Sequence, residues 1–377
     1  MAQENSKKKI LLVTRPICPP WDEASKNFTY YLAKNISDFE FGLLTNGILP
    51  ELPENIHQKA IYTSNSFSYL QKIRLIKNLR KFKNDFDILH FLFTPTKQNT
   101  FLIKHFVGYK NHGRSIQTIA TLREDLYSAA EIKKLIFGDL VITYSDYAKN
   151  KLNDLGFKNV KRVYPGIDIE LYSPADKSLS LLKQYNIEPD DFVVTFPGEF
   201  TRLGAMDDII NMALQYSKIL KGKKIKIILA CRVKNKEDFE KKEKIREILK
   251  KNDLSDYILL PDTFETMEKV FNSSDVLIFP VRNMQGKFDV PLAVIEAMAC
   301  AKPVIISNLP ILNEFAKENI AVRIEPGNPE KLWDSIMDLY NSPEKRNQIG
   351  SEARKFVADN FDIKQIAEIY KKIYEVL

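Results

Sequence analysis

Twelve short apolar runs rich in β-branched residues, each followed by a stretch of helical periodicity, constrain this chain more than any other feature. The first six are KILLVT (9–14), FEFGLLT (39–45), DILHFLF (87–93), SIQTIAT (115–121), LVITYS (140–145) and KRVYP (161–165). After a loop-like stretch, GIDIELYSPADKS (166–178), the rhythm resumes with FVVTFPG (192–198), IKIILA (225–230), YILLP (257–261), DVLIFP (275–280), PVIIS (303–307) and AVRIEP (321–326). Continuous apolar strands alternating with helices predict parallel sheets covered on both faces. Two such series predict two doubly wound α/β domains, 1–170 and 186–358, followed by a last helix, 359–377. In such sheets ligands bind beyond the carboxyl ends of the strands, near helix N-termini. Two carboxyl edges facing one cleft would hold one substrate each, which is the geometry of a transferase.

Helix boundaries carry their own signals. SDYAKNKLNDLG (145–156) reads as a helix capped by Ser145 and closed at Gly156. Another starts at Ser342 and Pro343. In the final segment Ile363, Ile366, Ile369, Ile373 and Val376 form one apolar stripe.

Charge separates the two halves. Residues 1–170 hold 25 Lys and Arg against 17 Asp and Glu, whereas residues 171–377 hold 31 against 32, within a net charge of +7. The first half therefore favours an anionic partner. Its most basic element, YLQKIRLIKNLRKFKND (69–85), places Tyr69, Ile73, Ile76, Leu79 and Phe82 on one helical face and six cations around the rest. Such a helix, 69–84, can lie on an anionic membrane, or it can cover the sheet and leave a solvated basic side. No motif that reads nucleic acid accompanies it, so no nucleic-acid partner is expected.

No apolar run approaches the ~18–20 residues that span a bilayer, and the run after the basic start is too short for a signal peptide. A cytoplasmic protein is expected, peripheral at most on the inner face of the plasma membrane. Cys18, Cys231 and Cys300 suggest neither a disulfide framework nor a metal site. His57, His105 and His112 have no ligand spacing, and His90, in a strand, reads as a packed core residue. No metal is expected.

One carboxylate stands out. In FDVPLAVIEAMACAKPVI (288–305), Pro291 suits the first turn of a helix running through Met298. Glu296 then lies amid Leu292, Ala293, Val294, Ile295, Ala297 and Met298, where an ionised group needs partners. The stretch VPLAVIEAMACAKPVI (290–305) resembles the donor-site signature of family 4 retaining glycosyltransferases, also called glycosyl transferases group 1. RPICPPWDEASKNFTYYLAKNI (15–36), DLVITYSDYAKNKLNDLGFKNVKRVYPGIDIELYSP (139–174), FVVTFPGEF (192–200) and SSDVLIFP (273–280) are similar to that family in the same order.

The resemblance implies the GT-B fold: two Rossmann-like domains facing a cleft, the first for the acceptor and the second for the nucleotide sugar. Its C-terminal helix would pack back toward the first domain. It implies transfer of a sugar from a nucleotide-diphosphate donor, UDP- or GDP-linked, to a hydroxyl acceptor on a glycan or lipid carrier, with no cofactor and no metal. Glu296 would take the ribose hydroxyls, with Pro291 and Leu292 opening its helix. Gly198, Glu199, Arg202 and Gly204, in PGEFTRLGAMDD (197–208), would line the donor diphosphate.

The chain departs from the family pattern at four places. Phe288 stands where a second carboxylate, eight positions before Glu296, usually contacts the sugar, which leaves Asp289 as its substitute. Glu199 stands at the usual Arg of a Gly-Arg then Lys-Gly arrangement, leaving Arg202, with Lys287 or Arg282 to compensate. PPWDEASKNF (19–28) lacks paired glycines, leaving Ser25, Lys26 and Asn27 to meet an anion. Arg123, in TLRED (121–125), stands near the position of the family's histidine. The catalytic candidates are thus Arg202, Lys287, Asp289 and Arg123. The departures keep open a catalytically silent GT-B scaffold that partners an active transferase, and the same fold also admits an epimerase or phosphorylase.

Overall fold

The computed structural model describes residues 7–19, 23–50, 52–107, 114–262, 264 and 266–377. Residues 1–6, part of the first loop (20–22) and His112 lie outside them. The chain divides into two compact units, 1–167 with 285–290 and 361–377, and 168–284 with 291–360. The short segment 285–290 thus belongs with the first unit, an assignment absent from the sequence-based boundaries.

Among the described residues, the first unit's sheet has seven strands: β1 (Lys9–Ile17), β2 (Glu40–Asn46), β3 (Ile56–Tyr62), β4 (Ile88–Leu92), β5 (Arg114–Ile119), β6 (Leu140–Thr143) and β7 (Val160–Arg162). They pair in parallel in the order β3-β2-β1-β4-β5-β6-β7. Six match the expected runs. The unexpected one, β3, carries His57, Gln58 and Lys59 in its middle, which an edge strand tolerates because one side of it faces away from the sheet.

Two helices of this unit bury faces that coincide only in part with those their periodicity predicted. In the helix Tyr69–Phe82 the buried residues are Gln71, Leu75 and Leu79, while Tyr69, Leu70 and Ile73 are exposed. Gln71 joins the buried face because Thr63 satisfies its amide: the Thr63 backbone N–H donates to Oε1 at 3.2 Å, and Nε2 donates to the Thr63 hydroxyl at 3.0 Å. The exposed face combines those three apolar residues with Arg74, Lys77, Arg80 and Lys81.

The C-terminal helix, Ile363–Val376, buries Ile363, Ile366, Ala367, Tyr370, Ile373 and Tyr374 and leaves Ile369 and Val376 exposed. It joins the first unit through a short parallel bridge: the Ile167 N–H donates to the Phe361 carbonyl at 2.8 Å, and the Ile363 N–H donates to the Ile167 carbonyl at 3.0 Å. Its last carbonyls accept from Lys8 Nζ, at Tyr374 and Glu375, and from Arg114 Nη1, at Val376. Cations there satisfy orphan carbonyls and complement the helix dipole.

The second unit's sheet, among the described residues, comprises β8 (Phe192–Gly198), β9 (Ile225–Cys231), β10 (Ile258–Leu259), β11 (Val276–Phe279), β12 (Val304–Ser307) and β13 (Val322–Ile324). All are parallel, in the order β10-β9-β8-β11-β12-β13, and match the six expected runs. The strand order reverses between β8 and β11, so the loops after these two strands flank the sheet's topological switch point.

Candidate active site

The loop after β8 contains four of the candidates. Gly198 ends the strand, Glu199 is buried, and Leu203 and Gly204 take φ of +68° and +75° before the helix Ala205–Gln215 begins. A positive φ is unfavourable for leucine. It is held there by the loop after β11, whose Arg282 N–H donates to the Leu203 carbonyl at 2.7 Å. Gly204 has no room for a side chain, because a Cβ would come within 2.8 Å of Arg282 Cδ. Arg282 itself makes a bidentate pair with Asp208, at 3.0 and 2.5 Å, so its charge is matched within the protein. Arg202 lies with its Nε 3.7 Å from Glu199 Oε2.

Glu296 belongs to the helix Leu292–Ala299, for which Pro291 is the N-cap rather than a helical residue. Val294, Ile295, Ala297 and Met298 are buried, whereas Leu292, Ala293 and Glu296 form the one incompletely covered stripe. This placement explains a carboxylate in so apolar a helix: Glu296 occupies the face that the core does not claim. Although the side chain keeps some solvent contact, desolvation by its apolar surroundings raises its pKa to about 7, and Glu268 adds to the rise. The Tyr172 hydroxyl opposes it by hydrogen bonding to the carboxylate. Arg354 fixes the loop that carries Tyr172, donating to the carbonyls of Ile169, Tyr172 and Ala299 at 2.8–3.0 Å. Neither Tyr172 nor Arg354 carries a sequence signal for this role, since each acts only through its fold neighbours.

Four candidates lie in the first unit. Asp289 is 1% exposed; its carboxylate accepts from the Ser145 hydroxyl at 2.9 Å, and its N–H donates to the Ala120 carbonyl at 2.9 Å. Phe288 beside it packs on Tyr144, ring centroids 4.8 Å apart. The residue expected at the sugar therefore anchors the segment 285–290, to which the partly exposed Lys287 also belongs. Arg123, beyond β5, has a φ of +54° and a bidentate pair with Asp125, both bonds 2.9 Å. Ser25 is in the first turn of the helix Ala24–Lys34, where its carbonyl accepts from the Thr29 hydroxyl at 2.7 Å. The structure thus groups Gly198, Glu199, Arg202 and Gly204 on one loop of the second unit and Pro291, Leu292 and Glu296 on one helix of that unit. Among the described residues no cluster of three His, Cys, Asp or Glu could hold a metal ion.

Residues 177–356 match the family described as glycosyl transferases group 1. An uncharacterized glycosyltransferase of Methanocaldococcus jannaschii is 25% identical over 251 residues, 65% of this chain and 61% of the relative, so the chain spans about three fifths of that relative's length. The O-antigen biosynthesis glycosyltransferase WclY of Escherichia coli is 24% identical over 318 residues, 81% of this chain and 84% of the relative. The crystal structure of Anabaena HepE in complex with UDP and glucose superposes with a TM-score of 0.77 at 15% identity, covering 98% of this chain and 100% of the other. Residues 177–356 therefore belong to the glycosyl transferases group 1 family, and the chain has the GT-B glycosyltransferase fold.

Proposed function

We propose that this protein is a retaining glycosyltransferase that moves a sugar from a UDP- or GDP-linked donor to a hydroxyl on a lipid-linked or cell-envelope glycan. The observation that carries this reading is Glu296, a desolvated carboxylate on the uncovered stripe of a helix in a group 1 domain. A carboxylate facing a vicinal diol accepts two charge-assisted hydrogen bonds. Arg202 and the loop that ends at Gly204 sit at the switch point, where a departing diphosphate needs cations and amide dipoles. Basic side chains then do the work a metal would otherwise do. Retention follows from the family resemblance. The names of the relatives favour an envelope acceptor, and the exposed Tyr69, Leu70 and Ile73 with their neighbouring cations suit the anionic inner face of a membrane. The engagement of Asp289 with Ser145 favours a second reading, a donor-binding scaffold without turnover.

Thermal unfolding with UDP, GDP, ADP, CDP and dTDP tests the donor site. A ligand at a hundred times its dissociation constant stabilises by about 2.7 kcal/mol. One of the five is expected to do so, and Glu296→Gln is expected to weaken it roughly tenfold. No response to any of them would end the proposal, and a response without turnover on any acceptor would leave the scaffold.

The pH dependence has a definite sign. Glu296 must be ionised to accept from both hydroxyls, so with a pKa of about 7 its ionised fraction, and the affinity, should rise about tenfold from pH 6 to pH 8. In the Glu296→Gln variant the rise should shrink to the part that the diphosphate's own titration supplies. Equal slopes in the two proteins would remove Glu296 from the site.

A further inference from the structure

Strands β8 and β9 are neighbours in register, with Gly198 opposite Cys231, so the loops 199–204 and 232–235 leave the same sheet edge side by side. Two buried carboxylates tie these loops together. Asp238 accepts from the Thr201 hydroxyl at 2.8 Å and from the Lys234 N–H at 3.2 Å, while its own N–H donates to the Asn235 cap at 2.9 Å. Glu199, 6% exposed, accepts from Lys234 Nζ at 2.7 Å through Oε1 and has Arg202 Nε 3.7 Å from Oε2. The side chains of Lys234 and Arg202 are 47% and 48% exposed, so two half-solvated cations flank one buried anion at the edge of the switch point.

This arrangement suits an anion better than it suits stability. Two cations held close together repel each other, and a carboxylate between them removes that repulsion while no ligand is bound. An ammonium has three donors, and Glu199 engages one of those of Lys234, which leaves donors for a second acceptor. The loop geometry is fixed in advance by Asp238 and by the Leu203–Arg282 backbone bond, so little ordering remains to be done when an anion arrives.

Resting on the donor reading above, we propose that Lys234, from the loop after β9, is the second cation of the diphosphate subsite, and that Glu199 is the positioning residue that holds it beside Arg202. The glutamate at the place of a missing arginine thereby brings in a cation from the adjacent strand.

Affinity for the nucleoside diphosphate that stabilises the wild type, UDP tried first, is measured beside affinity for the matching nucleoside. Lys234→Met should weaken the diphosphate tenfold or more, the loss of roughly one charge-assisted hydrogen bond, and leave the nucleoside unchanged. Lys234→Arg should restore most of the loss. Lys234→Met also deprives buried Glu199 of a partner, so the double variant Lys234→Met with Glu199→Gln distinguishes binding from packing: it should regain thermal stability but not diphosphate affinity. If the double variant regains both, Lys234 serves only Glu199 and the proposal is wrong. If Lys234→Met binds like wild type while Glu296→Gln is impaired, the proposal falls and the donor reading stands. If none of the five diphosphates binds the wild type, both fall.

Discussion

Replacing Tyr374 by alanine is expected to destabilise the first unit by about 4–5 kcal/mol, the range for removing a large buried aromatic together with a buried hydrogen-bond partner. His90 is completely buried on β4, with Nδ1 2.7 Å from the Tyr374 hydroxyl and Nε2 2.7 Å from the Thr118 hydroxyl, and its ring stacks on Tyr370 at 5.7 Å. Both ring nitrogens thus have hydroxyl partners, one of them supplied by the C-terminal helix. Tyr374→Phe keeps the ring and removes only the hydroxyl, so a loss of about 1–3 kcal/mol isolates the hydrogen bond. Urea unfolding followed by hydrogen exchange of the β4 and β5 amides reads both losses. Differences under about 1 kcal/mol for both variants would mean that the helix is held by its other contacts.

The same contact has an acid limit. Burial lowers the His90 pKa from 6.5 to about 3. Between those values the unfolded chain binds the proton and the folded one does not, so the stabilisation is complete above pH 6.5 and is lost as pH falls toward 3. The slope from this one group is at most about 1.4 kcal/mol per pH unit. His90→Gln should flatten that part of the profile.

Gly350→Ala should destabilise the second unit by about 3 kcal/mol, although alanine is intrinsically the better helix former by ~1 kcal/mol. Gly350 lies inside the helix Pro343–Phe361, and a Cβ there would stand 2.1 Å from the Ala301 carbonyl oxygen. That carbonyl cannot move freely. Ala301 has a φ of +56° and closes the Glu296 helix, its N–H donating to the Met298 carbonyl at 2.9 Å while the Lys302 N–H donates to the Ala297 carbonyl at 3.1 Å. The substitution therefore presses on the end of the helix that carries Glu296, and nucleotide affinity should fall with stability. A neutral or stabilising result in calorimetry would show that the two helices separate at little cost.

The strand rhythm was legible because strands covered on both faces must be apolar throughout, and this is a local property of the chain. The edge strand β3 escaped notice for the same reason, since the strand-like signal is weakest where one side is unpaired. The Ser145 cap and the Gly156 stop were equally local, and both occur as expected: the Ser145 hydroxyl accepts from the Ala148 N–H at 3.0 Å, and Gly156 takes a φ of +91°.

What a side chain meets across the fold was not legible. Isoleucine spacing points to Ile369 and Val376, yet Tyr370 and Tyr374 are buried in their stead, since His90 on β4 stacks its ring on Tyr370 and meets the Tyr374 hydroxyl with Nδ1. The sequence offers Asp289 as a sugar ligand, but that its carboxylate accepts from Ser145, 144 positions away in the chain, is visible only in the fold. Glu199 looked like a lost cation, and only the pairing of β8 with β9 brings Lys234 to it, 35 positions further on. By itself the sequence determined the domain type and every strand of the two sheets except the edge strand β3, because periodicity and capping act over a few residues. Tertiary structure alone decided which polar groups meet, because a hydrogen bond or an ion pair depends on distance in space, and neighbours in space can be far apart in the chain.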